Sequence, residues 1–497
     1  MLLSTTLRRH AVALLACLAT VAGLGVAAAP AHALTLGFND QDLMSSAGWH
    51  GGKVNLSDLN AGLAEAHTAG SQVWRFTVIW AEVAKSPVAP TPAEAVDPAW
   101  SGYDWSAVDN EVKAITANGM APLVWASRAP TWAEGPNRPA LSNEVPFGTW
   151  NPNPTLFGQF AQALAKRYDG SYPDPASPGQ ALPRITYFQG WNEPNLYTEL
   201  TPQWTKSNGK FVMTSPGIYR SLINAFYAGV KQVQPTAVVL SAGTGPFGDL
   251  NPGDPRIQPA AFYRALLCET VKGTKVTVKK KCPRVNFDAW DHHTYPIGPP
   301  TRAARNADDV VVPDMAKLTR LVAAAAKAGV VKKAAVPNLW MTEMSWDSYP
   351  DPNGLSLADH ALYMQGAFYI LWKAGVKNIL WWNSRDDAQG SDWNATLQSG
   401  IFLRGATPAQ DTPKPSATAY HFPLAAYRYK GVAALWSRAP ASGVVVVQAQ
   451  NAAGVWSTVV TLKSQGGQVF TGRLRVSPGT KLRAVQGNQT SLTWTTF

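Results

Sequence analysis

The chain has 497 residues, of which 46% are hydrophobic and only 15% charged, a composition that excludes a disordered polymer and leaves room for one large domain and a small one. Its formal net charge of +11 would suit an acidic glycan or an anionic cell surface, yet Lys275, Lys279, Lys280, Lys281, Lys332 and Lys333 cluster away from every chemically suggestive motif and read as a solvated face. No nucleic-acid motif accompanies them, so nucleic acid is not an expected partner.

In chain order, the first stretch carries Arg8 and Arg9, an apolar run from Ala11 to Ala29 and the triplet Ala31-His32-Ala33. A charged start, an apolar middle and small residues at the end describe a secretory signal, here residues 1–33, cleaved near Ala33. The paired arginines loosely resemble a twin-arginine signal and Leu14-Leu15-Ala16-Cys17 a lipoprotein box, but the apolar run continues past Cys17. A secreted, extracellular chain beginning near Leu34 is expected, with no later apolar run long enough to span a bilayer. Once Cys17 is removed, Cys268 and Cys282 remain, and two cysteines in an exported chain most simply pair as a disulfide.

From Leu34 to about Tyr429, apolar runs alternate with helix-spaced segments. The expected strands are Leu34–Phe38, Gln72–Trp80, Met120–Ala126, Ile185–Trp191, Ala237–Ala242, Phe287–Thr294, Leu339–Glu343 and Asn378–Asn383. Between them lie helical patterns such as Leu59-Leu63-Ala66, Val108-Val112-Ile115, Phe157-Phe160-Leu164 and Tyr219-Ile223-Phe226-Val230. Helix stops stand at Asn118-Gly119, Ala328-Gly329 and Ala374-Gly375. Strand and helix in alternation imply parallel strands, and eight such units without a glycine-rich phosphate turn favour an α/β fold of the (β/α)8 TIM-barrel kind over a doubly wound sheet. Residues 34–429 are expected to form this barrel.

Functional residues in such a barrel sit at the carboxyl ends of the strands. Two carboxylates do so: Glu193 in Gly190-Trp191-Asn192-Glu193-Pro194 after strand four, and Glu343 in Trp340-Met341-Thr342-Glu343 after strand seven. Glycoside hydrolysis usually needs two carboxyl groups, one to protonate the leaving oxygen and one to attack or to activate water. His292 and His293 stand side by side, but neighbouring strand residues point to opposite faces, so the pair does not suit one ion. Neither a metal nor another cofactor is expected. Asp288 and Asp291 read as carboxylates that satisfy backbone donors. Most of the twenty tryptophans should be core.

These motifs carry a resemblance. Trp191-Asn192-Glu193-Pro194 and Thr342-Glu343 with Trp346 look like the two signatures of the clan A retaining glycoside hydrolases, nearest to family 39 and its bacterial relatives, then family 5. Arg75 in Trp74-Arg75-Phe76, Pro130-Thr131-Trp132, His293-Thr294-Tyr295-Pro296 and Lys414-Pro415 fall where those families place similar residues. The resemblance implies that Glu343 is a nucleophile and Glu193 the acid/base, with their carboxylates roughly 5 to 5.5 Å apart. It implies that Arg75 and the Tyr295 phenol hold Glu343 as an anion, that an apolar wall raises the pKa of Glu193, and that Asn192 contacts the hydroxyl beside the anomeric carbon. An ion pair internal to the barrel is the alternative role for Arg75, and His293 and Tyr295 carry similar alternatives. Only one of the successive residues Trp381 and Trp382 can face the mouth, and the resemblance implies a strand-eight tryptophan beneath the sugar, for which Trp382 is favoured. Trp132 and Trp346 are expected at the rim, with Trp80, Trp49 and Trp393 weaker candidates.

The implied substrate is an oligo- or polysaccharide and the implied state a monomer. A transglycosylase with the same site, or a binding protein that has lost turnover, are the alternatives. Long Pro- and Gly-rich connections after strands two to five, such as 128–154 and 198–216, should shape the mouth. After a last helix ending around Tyr429, residues 430–497 show short apolar runs at Val444–Gln448, Trp456–Leu462, Val469–Val476 and Lys481–Val485, expected to form a small antiparallel β-sandwich.

Overall fold

The computed structural model describes residues 32–44, 55–389 and 392–496. The expected leader, apart from its last two residues, and Trp49 lie outside the described residues. Eight parallel strands form one sheet: β1 (Thr35–Asn39), β2 (Val73–Ile79), β3 (Ala121–Ser127), β4 (Tyr187–Gly190), β5 (Val238–Leu240), β6 (Trp290–Asp291), β7 (Leu339–Met341) and β8 (Val376–Trp381). Their hydrogen-bonded order runs β6, β7, β8, β1, β2, β3, β4, β5, and a parallel bridge from Leu240 to Ala289 joins the two ends into a barrel. Every strand expected from the sequence is present.

Each strand is followed by a helix: α1 (Leu56–Thr68), α2 (Ser106–Ala117), α3 (Pro154–Arg167), α4 (Ser215–Val233), α5 (Pro259–Leu266), α6 (Ala316–Lys327), α7 (Leu357–Lys373) and α8 (Pro415–His421). Local chemistry fixes several starts. The Asn55 side chain accepts from the backbone of Ser57 and Asp58, Asn153 does the same for α3 ahead of Pro154, and Ser356 accepts from Asp359 N. The helix stops expected from the sequence are observed, with Gly119, Gly329 and Gly375 at positive φ just past α2, α6 and α7.

Inside the barrel, Val73, Leu123, Leu240, Ala289, Trp340 and Leu380 form their own apolar layer, separate from the main core between strands and helices. Strand side chains alternate between faces, so residues two positions further on sit one layer nearer the carboxyl ends. That parity carries Arg75, Trp125, Asp291, Thr342 and Trp382 to the mouth. The long connections after β2 to β5 add small elements there, including a turn of helix at Pro92–Ala95 and a hairpin of Trp204–Ser207 with Lys210–Met213.

The disulfide is present: Cys268 and Cys282, with Cα atoms 5.8 Å apart, close the hairpin that follows α5. A loop of 14 residues contributes about 3 kcal/mol in the chain-entropy account. Lys275, Lys279, Lys280 and Lys281 are exposed on this hairpin, the solvated face expected.

The sequence reading of a helix up to Tyr429 is corrected. The helix α8 ends at His421, and Leu424–Tyr429 is strand β9, paired antiparallel with β10 (Val432–Arg438). Lys430 and Gly431, both at positive φ, make the two-residue turn that such a hairpin needs. The strands β11 (Gly443–Gln450), β12 (Trp456–Ser464), β13 (Val469–Arg475) and β14 (Lys481–Gln486) follow. Two antiparallel sheets result: β9, β10 and β13 in one, β12, β11 and β14 with two short end strands in the other. They meet where Trp494 Nε1 donates to Ala426 O, and the first sheet is tied to the barrel by Arg438, which donates to Leu34 O and Gln72 Oε1.

Candidate active site

The chain leaves β4 through a tight turn. Trp191 and Glu193 take positive φ values of 78° and 31°, a region that costs a non-glycine residue about 1 kcal/mol or more. The turn is held on several sides: Trp191 N donates to Ala126 O, its indole to Glu199 O, and Leu196 N to Glu193 O. Asn195 then bonds Gly245 and Ile257, tying this turn to the connection after β5. The turn delivers Glu193 to the barrel mouth with its side chain 17% exposed.

Glu343, just past β7, is more deeply set, its side chain 6% exposed. Arg75 Nη1 donates to its Oε1 at 2.5 Å, Asn39 Nδ2 to the same oxygen at 3.4 Å, and the Tyr295 hydroxyl to Oε2 at 2.9 Å. Arg75 is fully buried and spends its other donors on Gln189 Oε1 at 2.8 Å and Asn192 Oδ1 at 2.9 Å, with its guanidinium over the Trp125 ring. The expected contacts to Glu343 are therefore present. Burial pushes the Glu343 carboxyl above the ordinary glutamate value, while His293 and Arg75 pull against it.

Removing Arg75 would leave a buried carboxylate and two amide oxygens short of a donor. Arg75→Met is expected to cost about 3 to 5 kcal/mol of folding stability, read as a shift in the urea midpoint. A shift under about 1 kcal/mol would mean that the guanidinium is dispensable to the fold.

Glu193 faces His293 rather than the apolar wall the resemblance implied. His293 Nδ1 lies 2.8 Å from Glu193 Oε1 and 3.4 Å from Glu343 Oε2. Its Nε2 lies 3.1 Å from Thr342 Oγ1, which donates in turn to Asp291 Oδ2. Burial alone would lower the imidazole pKa, but Glu343, Asp291 and Glu193 together raise it to about 10. At neutral pH the ring is an imidazolium donating from both nitrogens. His292 points elsewhere, as strand alternation requires, onto Thr244 Oγ1 and Val310 O, and burial lowers its pKa to about 4.

A raised histidine pKa contributes stability that is complete below the unfolded value near 6.5 and is lost as pH rises through about 10. The stability gap between the unmutated chain and His293→Gln should therefore shrink across that window in denaturation curves taken at stepped pH. A gap independent of pH would show that the ring is neutral.

An oxygen of Glu193, an oxygen of Glu343 and a ring nitrogen of His293 all lie within 4.8 Å of one another. These three could converge on a cation, for which the imidazole would have to give up a proton. Gly243 is needed at this spot, since a Cβ there would sit 2.1 Å from His293 Nε2.

Several site residues escaped the sequence reading. Gln189 links Arg75 to Asp291 Oδ2 at 2.7 Å, and Asp291 also accepts from the backbone of His292 and Thr342. Asp291 thus satisfies backbone, as expected, and also anchors the chain Glu193, His293, Thr342, Asp291, Gln189, Arg75, Glu343. Strand parity was the available signal: Gln189 and Asp291 lie two residues after inward positions. Glu199 was missed too. It pairs with Arg128 at 2.9 Å, and burial, then the nearby Glu193 and Glu343 charges, leave its pKa at about 7 despite that arginine.

The aromatic residues divide. Trp381 is fully buried among Trp346, His360 and Phe368 and donates to Ser399 O, so it packs outward. Trp382, of opposite parity, is half-buried at the mouth end of β8. Trp132 is half-buried, its indole donating to Ser86 O across two mouth loops. Trp346 is not a rim residue: it is 7% exposed, donates to Gly298 O and packs in the core edge-on to Tyr363 and tilted against Trp381. Trp80 is likewise core, stacked on Phe160, and Trp393 is half-buried in a short helical turn.

No protein-family model matches the chain, and no curated protein matches it. Solved structures do. A family 39 glycoside hydrolase from the gut symbiont Bacteroides cellulosilyticus is 14% identical and superposes with a TM-score of 0.50 over 90% of this chain and 81% of that one. A family 39 β-xylosidase from Caulobacter crescentus is 16% identical over 91% of this chain and 98% of that one, with a TM-score of 0.48. A family 5, subfamily 18 protein from Bifidobacterium longum subsp. infantis is 14% identical over 78% of each chain, with a TM-score of 0.47. At such identities the likeness concerns architecture, and the chain shares the fold of the Bacteroides family 39 glycoside hydrolase.

Proposed function

We propose that this protein is a secreted retaining glycosidase that cleaves O-glycosidic bonds of an oligo- or polysaccharide by double displacement. The observation that carries the reading is the pair Glu193 and Glu343, facing each other across one barrel mouth with an oxygen of each within 4.8 Å. So close an approach of one oxygen from each suits the short spacing of retaining enzymes, about 5 to 5.5 Å between carboxyl groups, which leaves no room for a water between the attacking carboxylate and the sugar.

In the first step a Glu343 oxygen attacks the anomeric carbon while the bond to the leaving oxygen breaks and Glu193 gives that oxygen its proton. In the second, Glu193 takes a proton from water, the water oxygen bonds the anomeric carbon, and the ester to Glu343 breaks. Arg75 and Tyr295 orient the attacking carboxylate from two sides. Asn192, whose Oδ1 is fixed by Arg75, keeps its amide N–H groups for the neighbouring sugar hydroxyl. The His293 imidazolium bridges both carboxylates and favours whichever is ionised at each stage. Trp382 serves as the platform under the sugar ring, with Trp132 at the rim.

The test is sugar release from a panel of aryl glycosides and polysaccharides, with Glu343→Gln beside the unmutated chain. Release from at least one member, lost in the variant, is the expected result. Binding of a glycan without release would replace this reading with that of a binding protein.

A further inference from the structure

On the side of the molecule where α7 meets the sheet of β9, β10 and β13 lies a groove of about 910 Å³, which the proposed chemistry does not use. That volume is within the range of small-ligand sites, roughly 300 to 1,000 Å³. Its floor is aromatic: Tyr369 stacks on Tyr427 at 5.3 Å, and Trp372 lies beside them. Tyr429, 74% exposed, stands at the edge. Its walls are basic. Lys373 lies over the Tyr369 ring and Lys430 over the Tyr429 ring, while Arg473 and Arg475 project from β13 with no side-chain hydrogen bond or ion pair among the described residues. No acidic side chain among the described residues lines the groove.

We propose that this groove is a second carbohydrate site, for an acidic oligosaccharide carrying carboxylate groups. The exposed Tyr429 ring offers aromatic surface to the CH groups of a sugar, and unpaired arginines grip carboxylates bidentately. The choice of a glycan over another polyanion rests on the glycosidase reading. The short reach of the basic wall agrees with it, since a nucleic acid duplex is held by a longer stripe of phosphate contacts.

The experiment is calorimetric titration of the full chain with oligogalacturonate of four to six residues, in low and in physiological salt. The comparison is an Arg473→Glu/Arg475→Glu variant, whose folding is checked by its melting temperature and whose aryl-glycoside hydrolysis should be unchanged. The expected result is saturable binding that the variant weakens at least 10-fold and that a neutral xylo-oligosaccharide of equal length does not reproduce. Equal binding by variant and parent, equal binding of the neutral oligosaccharide, or tighter binding of a duplex oligonucleotide at the same arginines would each overturn it. Absence of hydrolysis on every glycoside would defeat the proposed function alone and leave the titration readable.

Discussion

Replacing Glu343 by glutamine is expected to lower kcat/KM on the order of 10⁴- to 10⁶-fold, as removal of a covalent nucleophile does elsewhere. The amide keeps the shape of the side chain and an oxygen for Arg75 Nη1, while its NH2 group can donate to the Tyr295 hydroxyl oxygen, so the fold and glycan binding should survive while the attacking charge is gone. A corollary concerns pH. Because burial raises the Glu343 pKa, the acid limb of kcat/KM should fall at a pH above the ordinary glutamate value of 4.5, as the carboxylate becomes protonated. Steady-state rates on an activated aryl glycoside across pH 4 to 8 measure both. A loss below about 10-fold would remove Glu343 from the nucleophile's place.

The second large effect belongs to Glu193, and its size should depend on the leaving group. Proton donation contributes roughly 10²- to 10⁴-fold, so Glu193→Gln should lose about that much on a sugar leaving group that needs protonation. A dinitrophenyl glycoside, whose leaving group departs unaided, should still form the covalent intermediate in a burst, after which turnover stalls for want of a base. Added azide, which needs no base, should restore turnover and yield a glycosyl azide. Equal losses on both substrates with no rescue would assign Glu193 a positioning role only.

The barrel was legible because every strand is an apolar run bounded by turn residues and every helix keeps its own spacing, from Leu36 in β1 to Leu380 in β8. The two carboxylates and Arg75 were legible because short strands fix which side chains reach the mouth. What the sequence hid depends on register between strands distant in the chain. Gln189, Asp291 and Thr342 become one network only when β4, β6 and β7 are brought side by side, and no local pattern encodes that neighbourhood. Glu199 was hidden for a related reason: a glutamate in a Pro-rich loop reads as solvated until Arg128 closes over it. Trp346 was misplaced because an aromatic beside a motif looks like a platform, whereas its indole N–H is spent on Gly298 and its ring packs against Trp381 and Tyr363 in the core. The helix read through Tyr429 failed at Lys430-Gly431, a hairpin turn without the asparagine or aspartate that usually announces one.

The most direct test of the account follows the sugar as it leaves. With whichever glycoside the panel identifies, proton NMR recorded within the first turnovers, before the product mutarotates, reports the configuration of the anomeric carbon. The geometry of Glu193 and Glu343 predicts that the first-formed sugar keeps the substrate's configuration. First-formed sugar of the opposite configuration would mean a single displacement by water and would contradict a covalent role for Glu343.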